Sequence, residues 1–114
     1  MAFETPITGS PTIGTVEYFL ASASTTATYQ TTDRVPQCWV ELHLMSAGDQ
    51  YQFSAYEKVV GGTSRLWCQF VLTGAQAIPV VAFPIGVLTE GWEFSVKKLA
   101  GTDRQIRYSI RPLS

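Results

Sequence analysis

Between Cys38 and Leu44 the chain alternates. Cys38, Val40, Leu42 and Leu44 are apolar, with Trp39, Glu41 and His43 between them. A period of two sends successive side chains to opposite faces, so this stretch predicts a half-buried β-strand. Ala47-Gly48-Asp49 then makes a turn. Residues 51–60 and 63–72 flank Gly61-Gly62, a pair suited to a two-residue hairpin turn. With Val60 opposite Thr63, Tyr51 meets Leu72, Phe53 meets Phe70, Ala55 meets Cys68 and Glu57 meets Leu66. Turn chemistry and apolar pattern therefore agree on one register. The other face pairs Ser54 with Gln69, Tyr56 with Trp67, and Lys58 with the like-charged Arg65.

The remaining segments read the same way. Residues 16–21 predict a first strand, and the Ser/Thr-rich 22–34 a polar loop or loosely paired edge. Residues 76–89 are apolar but interrupted by Pro79 and Pro84, so they predict an edge strand or a crossing connection. From Gly91 onward, Trp92, Phe94 and Val96 share a face, as do Ile106, Tyr108 and Ile110. This predicts a final hairpin closed at 101–103. Pro6, Gly9, Pro11 and Gly14 make 1–15 an extended arm. No segment holds a 3.6-residue period over three turns. The expectation is an all-β protein: one β-sandwich or jelly-roll-like barrel of six to eight antiparallel strands over 16–114, preceded by an extended N-terminal arm.

Composition narrows the function. Only 15% of the 114 residues are charged, against about 25% in an ordinary soluble domain, which leaves neutral surface of the kind partners cover. A net charge of −1 argues against nucleic acid, and no apolar run approaches a membrane span. The acids lie mostly early and the bases late: residues 1–57 carry net −5 and 58–114 net +4. In a meander these halves interleave; otherwise they would favour head-to-tail contact between copies. The start resembles no signal peptide, which implies synthesis in a reducing cytoplasm with Cys38 and Cys68 as free thiols.

Catalytic chemistry finds little to build on. His43, the single histidine, points away from the face of Cys38, and Cys68 lies on the predicted core face. Scattered acids and one histidine offer neither a metal site nor a cofactor site, and Glu41 with Glu57 makes a weak acid pair. Trp39 and Trp67, both opposite the core pattern, are open to three readings: cover by the same chain, a protein partner, or sugar stacking. Lys97, Lys98, Arg104, Arg107 and Arg111 lie on the last predicted hairpin, and Arg107 and Arg111 project with Gln105 and Ser109 as a polar stripe; a nucleic-acid contact is one reading, and the net charge favours a solvated face or a salt-bridging contact to a protein partner.

Certain phrases add a resemblance. Ala47-Gly48-Asp49-Gln50-Tyr51 leading to Tyr56-Glu57-Lys58-Val59, the pair Gly91-Trp92, and Lys98 through Arg104 followed by Ser109-Ile110-Arg111 resemble small β-rich structural proteins of tailed bacteriophages, across residues 45–111. The resemblance implies a non-enzymatic virion protein, a capsid decoration or cement protein that binds and cross-links major capsid subunits. It further implies a trimer or dimer on the capsid surface. The alternative is a carbohydrate-binding or host-recognition module of a head or tail fibre. The expected partner-contacting residues are Phe3, Ile7 and Ile13 on the arm, then Trp39, Trp67, Arg107 and Arg111.

Overall fold

The computed structural model describes residues 4–59 and 62–113, the side chain of Leu113 excepted. Phe3 and the Val60-Gly61 half of the predicted hairpin turn lie outside the described residues. Ten strands run in chain order: β1 (Ile7–Gly9), β2 (Thr12–Ile13), β3 (Tyr18–Phe19), β4 (Val35–Glu41), β5 (Gln50–Glu57), β6 (Arg65–Thr73), β7 (Val80–Ala82), β8 (Glu93–Ala100), β9 (Arg104–Gln105) and β10 (Arg107–Leu113). All pairings are antiparallel, and no helix occurs among the described residues.

Two four-stranded sheets stack as a sandwich, one ordered β1-β10-β4-β7 and the other β3-β8-β5-β6; β2 and β9 form a small third ladder. The alternation read from the sequence builds the core. Cys38, Val40, Tyr108 and Ile110 point inward from the first sheet, and Tyr51, Phe53, Phe94 and Val96 from the second. Phe83, just after β7, sits edge-on to Phe53 and Phe70 at 6.3 and 5.2 Å, and 4.9 Å from Phe94. These contacts fix the two edges β7 and β6 on the same flank of the sandwich. On the other flank, the buried Tyr108 hydroxyl donates to the Leu20 carbonyl at 2.7 Å and ties β10 to the end of β3.

Three expectations change. The β5–β6 register holds as far as Ala55 opposite Cys68, then shifts, so that Tyr56 faces Leu66 and Glu57 faces Arg65. Trp67 is the additional residue of a β-bulge, and the shift replaces the like-charged Lys58–Arg65 confrontation with an attractive one. The segment after Gly91 is no hairpin: β8 pairs with β3 and β5, whereas β10 pairs with β1 and β4 in the facing sheet. Gly101 makes the crossing with φ +92°, and a Cβ there would stand 2.3 Å from Asp49 Oδ1. The described part of the arm is extended but lies on its own domain. β1 pairs with β10, Ile13 is 1% exposed, and the Gly14 carbonyl accepts from Lys98 N at 2.8 Å. Ile13 is buried in the core of its own domain, whereas Ile7 is half-buried and packs against that core.

The acidic and basic halves interleave, since each large sheet mixes strands from both.

Candidate functional site

The four edges of the two large sheets differ in how they end. β1 has three residues, bracketed by Pro6 and Pro11. β3 has two, and its free side is occupied: Phe19 and Ser24 exchange backbone hydrogen bonds at 2.8 and 3.3 Å. β7 has three, bracketed by Pro79 and Pro84. Shortness, proline and cover are the usual devices that stop a sheet edge from recruiting another strand. β6 alone is long, at nine residues. It carries no proline, and its one charge, Arg65, stands at its start. Among the described residues, no backbone hydrogen bond reaches β6 from the side away from β5.

The flank shared by β6 and β7 is also uncharged. From Leu66 to Thr89 the chain runs 24 residues without Asp, Glu, Lys, Arg or His. This run holds seven of the twelve large hydrophobic residues exposed among the described residues. Leu66, Trp67 and Val71 stand out on β6. Ile78, Val80, Ile85 and Val87 stand out on β7 and its connections, with Ile78 77% and Val87 74% exposed. An apolar concentration of this kind marks an interaction surface more often than chance exposure. Leu66, Trp67, Val87 and the buried Leu88 frame a hollow of about 360 Å³ beside Glu57. The Trp67 ring lies over Gly86, where an added Cβ would sit 3.6 Å from it.

The remaining partner-contacting expectations fall elsewhere. Trp39 does not share a face with Trp67, because β4 and β6 belong to different sheets. Trp39 is half-buried opposite Ser109, with the Arg111 guanidinium 5.6 Å from its ring centroid. Arg107 lies 4.0 Å from Glu41. Trp39, Val80, Arg107, Ser109 and Arg111 surround a shallow hollow of about 240 Å³. His43 Nδ1 meets Glu41 Oε1 at 3.0 Å, and both side chains are exposed. Glu41 and Glu57 sit on different sheets, and Cys38 is fully buried, with burial pushing its thiol pKa well up. Among the described residues no three His, Cys, Asp or Glu side chains converge to hold a metal.

Three carboxylates do structural work that the sequence did not signal. Glu57, which the hairpin register sets on the core side, accepts backbone N–H bonds from Lys58, Thr89 and Gly91 at 2.6–2.9 Å and anchors the β7–β8 connection. Burial raises its pKa, but the backbone donors outweigh burial and the net shift is downward. Glu93, 0% exposed, takes N–H bonds from Ala21, Ser22 and Phe94 and the Ser22 hydroxyl, and so clamps the 21–30 loop over the outside of the second sheet. Burial leads, and the Glu93 pKa is raised despite these donors. Asp49, 1% exposed, accepts from Ser46 N, Thr102 N and Arg104 Nε at 2.8–3.0 Å. The Thr102 and Ser46 amides, with Arg104, lower its pKa to about 2. Under the clamped loop, Tyr56 donates to Glu17 Oε2 at 2.6 Å, and Phe19 and Tyr29 pack on its ring at 6.2 Å. Burial, then the Glu17 contact, push the Tyr56 pKa up to about 12.

No protein-family model, curated protein or solved structure matches the chain.

Proposed function

We propose that this chain is a non-enzymatic structural module of a larger particle, a capsid decoration or cement protein of a tailed phage, and that it attaches through the β6/β7 flank. The carrying observation is the coincidence, along one flank, of a nine-residue strand whose outer side is unpaired among the described residues and a 24-residue charge-free run that bears seven exposed apolar side chains. The phage assignment itself rests on the sequence phrases between residues 45 and 111. Catalysis draws no comparable support, since His43 pairs with Glu41 on the protein surface and burial raises the pKa of both thiols.

Magnitudes favour a role in many copies. Covering an apolar side chain fully contributes about 1.5–3 kcal/mol. Leu66, Trp67 and Val87, which frame one hollow, give a gross gain of roughly 5 kcal/mol when covered together, near the low end of the roughly 4–15 kcal/mol cost of association. One module therefore holds weakly, and a shell that presents many linked sites holds firmly.

The test compares phage particles with and without the protein under heat and chaotrope. Particles carrying it are expected to survive longer, and a Val87→Asp variant is expected to be lost from them. Equal survival of both kinds of particle would defeat the cement role. A second reading, recognition of a glycan by a fibre module, draws on the Trp39 hollow with its arginines. It requires a glycan-array signal that Trp39→Ala removes.

A further inference from the structure

We infer that the first partner of the open edge is a second copy of this chain, joined β6 to β6 about a two-fold axis at Val71, so that two four-stranded sheets become one of eight strands. The inference rests on the reading of this flank as a protein-binding surface.

The geometry begins with the bulge. Trp67 breaks the flat course of β6, which leaves Cys68–Thr73 as the straight portion. In antiparallel pairing about a two-fold axis normal to the sheet, facing residues lie on the same face, so inner side chains meet inner ones. With the axis at Val71, Phe70 faces Leu72 of the other copy on the core side. Val71 faces its own counterpart and Gln69 faces Thr73 on the outer side. Apolar meets apolar and polar meets polar at every step. Moving the axis one residue to Phe70 sets Gln69 against Val71 and the bulged Trp67 against Thr73, which loses both matches. With Val71 on the axis, the small residues Gly74 and Ala75 of the second copy come level with Cys68 and Trp67, leaving room for the bulge.

Two further observations point to self-pairing over pairing with an unlike strand. A two-fold axis confronts a strand's charges with one another, and like charges face to face are repulsive. β6 is free of charge from Leu66 to its end, so no such clash arises. The residues at the junction are also incompletely covered in the single chain. Phe70 and Leu72 are half-buried although they point into the sandwich, and Val71 is 42% exposed. A second β6 supplies the missing neighbours on both faces and the hydrogen-bond partners that the outer side of the strand lacks.

The experiment is sedimentation of the full chain over a range of concentrations, with three variants. The unaltered chain is expected to sediment as a dimer. Val71→Lys places two ammonium groups across the axis, and the sedimenting mass is expected to halve with the circular dichroism spectrum unchanged. Val16→Lys, at a 62% exposed position outside the β6/β7 flank, is expected to leave the dimer intact. In a Cys68→Ser background, Val71→Cys is expected to cross-link on mild oxidation, because facing Cα atoms in such a pair lie about 4.5–5.5 Å apart, within disulfide reach. A single-copy mass at every concentration overturns the inference, as does a dimer that survives Val71→Lys. A dimer that meets all these expectations but leaves particle survival unchanged removes the cement role and leaves the pairing standing.

Discussion

The two flanks of this sandwich are finished in opposite ways. At the β1/β3 flank the strands are short, Pro6 and Pro11 bracket one of them, and the 21–30 loop is clamped down by Glu93. At the β6/β7 flank the longest strand of the fold has, among the described residues, no strand on its outer side, and exposed Val80, Ile85 and Val87 stand nearby. The first flank gains stability from buried polar contacts within the chain. The second leaves apolar side chains exposed. The difference separates residues that hold the fold from residues that, on the proposed function, serve attachment, and mutation can tell them apart.

The largest effect is expected where the open flank meets the core. Phe83→Ala removes a ring that is 1% exposed and packed on three others, at a cost of about 4 kcal/mol read by denaturant unfolding. A loss below about 1 kcal/mol would mean that the core stops short of that flank. Next comes Glu93→Ala, which orphans three backbone N–H groups. A loss of about 3 kcal/mol is expected, a fall in Tm of roughly 10–15 °C, with faster proteolysis in the 21–30 loop.

Asp49→Asn is expected to cost about 2 kcal/mol at neutral pH and to flatten the acid limb of stability. The sign follows from the lowered pKa. The folded state holds Asp49 ionised down to about pH 2, whereas the unfolded carboxyl titrates near 3.8. Its contribution is complete above the unfolded value and is lost as pH falls through the folded one. Thermal melts between pH 5 and 2 should therefore show a steeper decline for the unaltered chain than for the variant. The smallest effect belongs to Val87→Ser, at a 74% exposed position. Stability should move by less than about 0.5 kcal/mol while retention on particles falls. A large loss of stability there would erase the distinction between the flanks.

The β5–β6 pairing was legible because turn residues and alternation agreed on it, and the register followed as far as Cys68. The bulge at Trp67 was not legible, since one additional residue leaves both strands looking regular. The route from β8 to β10 was misread for a related reason. An inward apolar stripe looks the same whether the next strand joins the same sheet or the facing one, and only Gly101 with its tight approach to Asp49 settles the crossing. Glu93 and Asp49 gave no signal because most of their partners are backbone amides, as many as 72 residues away, which carry no side-chain signature. The charge-free run from Leu66 to Thr89 stood in plain view. It gains meaning only once β6 and β7 are known to lie side by side on one flank.

One detail of β1 bears on use of the protein as a carrier. Glu4 N donates to the Pro112 carbonyl at 3.1 Å, beside the sheet edge farthest from β7. Glu4 and Pro112 thus meet on the flank opposite β6 and β7. A bulky label attached at either residue would therefore leave the open edge of β6 unobstructed.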